Sequence, residues 1–219
     1  MSPPSFIIAI DGPSASGKGT LARRVAARFG LAHLDTGRLY RATGLAVLDA
    51  GGDPTDPVAA EKAARDLDLL RPADPRLRDE DVGRAASLVA AIPAVRAALL
   101  DAQRDFARHP PAPAKGAVLD GRDIGTVVCP DATVKLFLVA SAESRAERRV
   151  KELRRSRAAA IYDAVLQDMR ERDARDSERR VAPLAAAPDA MTIDTTLLDA
   201  DQVFEQASDH IARLLAARR

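Results

Sequence analysis

The sequence predicts an α/β protein built as a three-layer sandwich, with a five-stranded parallel sheet covered by helices on both faces. Three observations predict it. Short apolar, strand-like segments alternate with amphipathic helical ones, the pattern of consecutive βαβ units. The strand-like segments are largely apolar, as befits strands buried on both faces. The first of them runs straight into a glycine-rich turn and then a helix, the local arrangement that opens a ligand-binding edge in parallel sheets.

In chain order, the first strand is "FIIAI" at residues 6–10, followed by the turn and by the helical "LARRVAARF". A second strand is expected over 31–34, leading into a helix over 37–48. The third strand spans 117–119 and the fourth 133–139, with a helix over 143–153 after it. The fifth spans 190–193, and a helix over 200–217 closes the chain. Two regions break the alternation, roughly 51–113 and 154–188. They contain helical stretches over 94–107 and 162–173 and are read as lobes inserted into one domain. "HPPAPAKG" at 109–116 is linker-like, because its prolines forbid a helix.

A chain of 219 residues can bury a real core in one domain with an inserted lobe or two. Its formal net charge of +1 makes no global electrostatic case for nucleic acid or an anionic membrane as partner. The single cysteine, Cys129, excludes an intramolecular disulfide and a zinc site built from several cysteines. It suits a reducing cytoplasm, and among apolar neighbours it reads as a small buried residue. His33, His109 and His210 are scattered, suggest no metal cluster, and read as structural or solvated. The start "MSPPSFIIAIDG" has no basic segment and too short an apolar run for a signal peptide or a membrane span. No apolar surface pattern demands a partner, so a monomer is the default expectation.

"GPSASGKGT" comprises Gly12, Pro13, Ser14, Ala15, Ser16, Gly17, Lys18, Gly19 and Thr20. Between a buried strand and a helix, glycines let consecutive N–H groups approach oxygen anions, and the helix adds its positive end. Lys18 places an ammonium where β- and γ-phosphates would sit, and Thr20 offers a hydroxyl near a metal. A nucleoside triphosphate site is therefore expected, whether in a kinase, an NTPase or a GTP-dependent switch.

A kinase would need a second polyanion site, and three clusters bear on it. In "LDTGRLYR", Thr36 can cap the following helix and Arg41 lies about 1.4 turns beyond, where a phosphate could meet both. Taken alone, this reads better as a capped surface helix with a solvated arginine. In "VLDGRDIG", Asp120 ends an apolar strand like a Walker B carboxylate that helps hold hydrated magnesium. Gly121 turns the chain, and Arg122, suited to a monophosphate, and Asp123 follow at the sheet's ligand-binding edge. In "RERDARDSERRVAPL", Arg172, Arg175, Asp176 and Arg179 fall on one helix face. That face could close over phosphorylated ligands, or it could be a solvated helix laced with ion pairs.

Taken together, these stretches resemble the bacterial cytidylate kinases, nucleoside monophosphate kinases of the P-loop class. The matching pieces are "IDGPSASGKGT", "LDTGRLYRA", "SLVAAIPAVRAALLDAQRDF", "VLDGRDIGTVVCPDATVKLFLVAS" and "RERDARDSERRVAPL", in the family's order and over nearly the whole chain. The resemblance implies a P-loop kinase fold with a core at about 1–40, 114–153 and 189–219. A monophosphate-binding lobe at about 41–113 and a helical lid at about 154–188 complete it. It also implies phosphoryl transfer from ATP with Mg²⁺ to CMP or dCMP. Residues 12–20 would bind ATP, with Thr20 and, through water, Asp120 at the metal. Thr36, Arg41 and Arg122 would hold the acceptor phosphate, and Ser87, Arg96 and Asp123 would read cytosine. Arg172, Asp176 and Arg179 would contact sugar and phosphates from the lid. Lys18, Arg122, Arg172 and Arg179 would neutralise the moving charge. Family members usually carry a longer insert before the Ser87 segment; here it is abbreviated, and a smaller or more mobile base-binding lobe is expected. The rival readings are a kinase for UMP, AMP or a small metabolite, and a P-loop switch that hydrolyses nucleotide slowly.

Overall fold

The structure, a computed structural model, describes residues 6–67, 74–155 and 160–216. Its strands are β1 (Phe6–Asp11), β2 (Ala32–Asp35), β3 (Gly116–Gly121), β4 (Val134–Val139) and β5 (Met191–Asp194). They form one five-stranded sheet in the order β2-β3-β1-β4-β5. β1 runs parallel to β3 and to β4, and β4 to β5; Ile8 lies opposite both Val118 and Val134, and Leu138 opposite Ile193. The helices are α1 (Lys18–Phe29), α2 (Thr36–Asp49), α3 (Pro57–Arg65), α4 (Glu80–Val89), α5 (Pro93–Arg108), α6 (Ala142–Arg155), α7 (Tyr162–Glu178) and α8 (Ala200–Ala216). The expected parallel α/β sandwich is the observed one.

By compactness the chain divides into Met1–Leu34 with Ala107–Arg219, and Asp35–Phe106. The first unit holds the sheet. Ile8, Ile10, Val118, Val134, Leu136, Leu138 and Ile193 pack against Leu21, Ala22 and Val25 of α1 and against Val203, Ala207 and Ile211 of α8. Those α8 residues recur every four positions, the stripe an amphipathic helix turns to a core. The alternate strand residues Ile7, Ala9 and Leu119 are buried too, so both faces of the sheet are covered. Each fully buried aliphatic side chain contributes about 1.5–3 kcal/mol. α1 stops at Gly30, whose left-handed backbone lets its N–H reach the Ala26 carbonyl.

The second unit is helical. Leu39 and Val47 of α2, Ala60 and Ala64 of α3, Val89 of α4, and Val95 and Leu99 of α5 form its core. The sequence pattern does not separate α3 from α4, because their buried faces include Ala60, Ala64, Gly83, Ala85 and Ala86, weak markers of an apolar stripe. The start of α3 carries a plain signal nonetheless: Pro57 opens it, and the Asp56 carboxylate accepts from the Val58 N–H at 2.9 Å.

Two local expectations are corrected. Thr36 does not cap α2: β2 runs into the helix without a linker, Asp35 takes the N-cap position, and Thr36 is the first helical residue. Arg179 does not sit on the α7 face, because the helix ends at Glu178 and Arg179 is extended, with φ −61° and ψ 138°. The last position of the expected closing helix, Ala217, and positions 68–73 and 156–159 of the two expected lobes lie outside the described residues.

Candidate active site

The phosphate loop is held from three directions. Gly12 sits at φ 146°, and a Cβ there would lie 2.2 Å from the Leu138 carbonyl oxygen, so the loop leaves β1 along a path only glycine can take. Thr195, beyond β5, donates its hydroxyl to the Ser16 carbonyl at 3.1 Å and is itself bonded by Arg148. Arg145 of α6 donates to the Ser14 carbonyl at 3.3 Å. Gly17, at φ 94°, then delivers the chain into α1, whose first residue is Lys18. Ser16 is fully buried, and its hydroxyl has no hydrogen-bond partner among the described residues.

Lys18 is buried and arches back over the loop, donating to the Pro13 carbonyl at 2.7 Å. Its ammonium is pushed down to about pKa 7, first by burial and then by the Arg122 and Arg172 guanidiniums; Asp120 and Asp11 offset only part of this. A buried lysine among arginines is an arrangement that invites a polyanion.

β3 ends in the residues the motif predicted. Asp120 is buried, and one carboxylate oxygen lies 2.6 Å from His33 Nε2. The other lies on the side of the phosphate loop, 3.8 Å from where a Cβ on Gly19 would stand. His33, expected to be structural or solvated, is the partner of the candidate metal carboxylate. Arg122 donates through Nε to Asp176 at 2.8 Å. Burial works against the Arg122 charge, but Asp176 raises its pKa on balance. For Asp176 burial acts upward, and Arg122, Arg172 and Arg179 overcome it and hold the carboxyl below its usual range.

Although Arg179 has left the helix, it still turns inward. Its guanidinium lies 3.7 Å from Asp123 and 3.9 Å from Asp176, and its Nε donates to the Ala182 carbonyl. The Leu184 N–H closes this turn on the Asp176 carbonyl at 2.8 Å. Arg122, Asp123, Asp176 and Arg179 thus meet in one cluster, while Glu171 and Glu178 are exposed as their spacing requires.

In the second unit, Arg41 extends across α4: it donates to the Leu77 carbonyl at 2.9 Å, and a Cβ on Gly83 would lie 3.1 Å from its guanidinium. Ser87, one turn beyond Gly83, is buried, as is Thr36. Arg96, also buried, donates to the Ala90 carbonyl at 3.4 Å and lies over the Tyr40 ring at 5.4 Å.

Three residues went unread in the sequence. Asp11, buried at the end of β1, accepts from the Ile124 and Gly125 N–H groups at 2.8 and 2.7 Å. Arg145 and Asp173 form a two-pronged ion pair, at 3.2 and 2.5 Å, between α6 and α7. An aspartate closing an apolar strand beside a phosphate loop was a legible signal; a pair separated by 28 residues was not.

A donor set of carboxylate, hydroxyl and phosphate oxygens suits Mg²⁺. Asp120, with one oxygen on the side of Gly19, and the hydroxyl of exposed Thr20, which accepts from Arg23 at 3.4 Å, fit that requirement. Among the described residues no group of three or more His, Cys, Asp or Glu side chains could hold a metal by itself, and no single helix is long and apolar enough to cross a membrane.

The family described as cytidylate kinase matches residues 8–213. The cytidylate kinase of Rhodospirillum rubrum is 60% identical over 207 residues, covering 94% of this chain and 97% of that protein. That of Paramagnetospirillum magneticum is 61% identical over 203 residues, covering 93% and 96%. That of Rhodopseudomonas palustris strain TIE-1 is 53% identical over 214 residues, covering 98% and 99%. Among solved structures, an uncharacterized protein from Eubacterium ventriosum superposes with a TM-score of 0.53 at 16% identity, covering 95% of this chain and 99% of that one, a likeness of fold alone.

Proposed function

This chain belongs to the cytidylate kinase family, and from that premise we propose how its residues divide the work. The protein is a kinase that phosphorylates CMP and dCMP with ATP, giving the nucleoside diphosphates and ADP. The observation that carries the assignment of roles is the cation cluster of buried Lys18 with Arg122 and Arg172, in which burial first and the two guanidiniums after it depress the lysine.

In our reading, the ATP phosphates lie in the loop of residues 12–20. Their oxygens take Lys18 from the Pro13 carbonyl and accept from loop N–H groups. Thr20 and, through water, Asp120 would hold Mg²⁺, with His33 orienting the carboxylate. When bound, the metal would supply positive charge that offsets the phosphate oxygens. Thr36, Arg41 and Arg122 grip the acceptor phosphate. Ser87, Arg96 and Asp123 pair with cytosine, whose exocyclic amine is a donor that a carboxylate accepts; uracil would present a carbonyl there instead. Arg172 and Arg179, with Asp176 aligning Arg122, neutralise charge on the transferring phosphoryl group. No general base is assigned, since the acceptor is already an anion.

The core at about 1–40, 114–153 and 189–219, the acceptor lobe at about 41–113 and the lid at about 154–188 are proposed as the working parts. The separate compactness of Asp35–Phe106 supports the acceptor lobe. Exposed large apolar residues such as Val58, Ile161 and Leu197 come from separate segments, which supports a monomer, and the lone buried Cys129 suits a reducing cytoplasm.

ADP formation with CMP, dCMP, UMP, AMP and GMP offered singly, beside a control with no acceptor, tests the base reading. Turnover should be confined to the cytidine nucleotides, and Asp123→Asn should erode that preference by tenfold or more on the order expected for a mispaired polar group. Unchanged preference in Asp123→Asn would remove Asp123 from base recognition.

A further inference from the structure

Asp11 lies outside every role assigned so far, yet it joins the two loops on which the reaction depends. It is the last residue of β1, next to Gly12 of the phosphate loop, and it is buried. Its two carboxylate oxygens each accept one backbone N–H, Ile124 at 2.8 Å and Gly125 at 2.7 Å. These are the two residues directly after Arg122 and Asp123. They open a π-turn, Ile124–Val128, whose first N–H groups would otherwise have no partner inside it. The Asp123 carbonyl closes the same turn, accepting from Val127 and Val128 at 2.9 and 3.1 Å. Asp123 itself has an irregular backbone, φ −145° and ψ 26°, between β3 and this turn.

Regular structure does not dictate the direction in which Arg122 and Asp123 leave the strand. We propose that Asp11 is a positioning residue for acceptor recognition: by holding the Ile124 and Gly125 amides, it sets the loop that presents Arg122 to the acceptor phosphate and Asp123 to the base. Two further observations agree. Burying this carboxylate is unfavourable enough to raise its pKa to about 6 despite both N–H bonds. A Cβ on Gly125 would lie 3.2 Å from Lys135 and 3.4 Å from an Asp11 oxygen, so the turn is seated closely against β1 and β4. An apolar residue would fill the space at less electrostatic cost but could not accept two N–H groups.

The inference rests on the reading that Arg122 and Asp123 meet CMP, and its test separates the two. Asp11→Asn keeps the shape but offers one acceptor and turns an NH₂ toward the second N–H. In this variant the KM for CMP and the Kd for CMP without ATP should rise tenfold or more, on the order of the loss that follows a misplaced recognition group. The preference for CMP over UMP should fall with them, while the KM for ATP changes less than about threefold. A folded variant with reduced kcat but unchanged CMP affinity and base preference would overturn the proposal. Asp123→Asn, measured alongside, tests the underlying reading: if it shifts base preference and Asp11→Asn does not, only the role of Asp11 fails. Should Asp11→Asn not fold, amide exchange in the unaltered protein decides. The Ile124 and Gly125 amides should be protected equally with and without CMP; exchange at open-loop rates in the free protein would overturn the clamp.

Discussion

Lys18 condenses the electrostatics of the site into one side chain. Because burial and two arginines lower its pKa to about 7, the unfolded chain binds more protons than the folded one between about pH 7 and 10.5. Its contribution to stability therefore rises with pH across that window, and below it the full penalty of a buried ammonium is present. Phosphate oxygens reverse the balance by favouring the charged form. At pH 8, binding of Mg·ATP should draw in about one proton at Lys18. Calorimetry in Tris and in HEPES would read this as a binding enthalpy that changes with the buffer's ionisation enthalpy. Lys18→Ala should abolish the dependence and lower turnover by orders of magnitude. A buffer-independent enthalpy in the unaltered enzyme would mean that the lysine is already charged.

Among the elements, α7 is the one whose placement the proposed chemistry most needs, and its sequence explains it least. Only Met169 and Asp176 are buried along Tyr162–Glu178, too little apolar surface to hold a helix by packing alone. Polar anchors take over: Arg145 grips Asp173, Arg170 pairs with Glu143 at 2.8 Å, and Arg122 holds Asp176. The Arg170–Glu143 pair is exposed and worth little, whereas Arg145 is buried. Arg145→Ala should cost about 3 kcal/mol in urea unfolding, because it strands the Asp173 carboxylate and the Ser14 and Ala140 carbonyls together. A double-mutant cycle with Asp173→Ala should give a coupling of about 1–2 kcal/mol. Simple additivity would show that the two side chains act separately.

For the whole molecule, the prediction is one of linkage. A ligand present at about 100 times its Kd adds about 2.7 kcal/mol to the folded state, or roughly 5–10 °C in Tm for a chain of this size. CMP and Mg·ATP should each raise Tm on that scale. In Lys18→Ala the Mg·ATP shift should shrink to a small fraction while the CMP shift persists. Loss of both shifts together would mean that the loop lysine supports the fold rather than one ligand.

Much of this was legible from residues alone. Five apolar runs, each too short for a helix core and separated by helical periods, dictate a parallel sheet because only a sheet covered on both faces buries them all. "GPSASGKGT" carries its chemistry in its spacing, since glycine geometry and a following helix are local properties. The same locality explains the residues that were missed or misplaced. Asp11 and Ile124, His33 and Asp120, and Arg145 and Asp173 are separated by 113, 87 and 28 residues, and no local rule couples such pairs. Thr36 yielded the cap to Asp35 because β2 runs directly into α2, and Arg179 left its helix face because α7 ends one residue earlier. The sequence by itself determined the layers, the phosphate loop and the kinds of side chain available for catalysis, because periodicity and motif geometry act over a few residues. Only the tertiary structure decided which carboxylate holds which arginine and which aspartate accepts the Ile124 and Gly125 N–H groups. Those choices follow from burial, which makes an unpartnered charge or N–H costly wherever in the chain its partner lies.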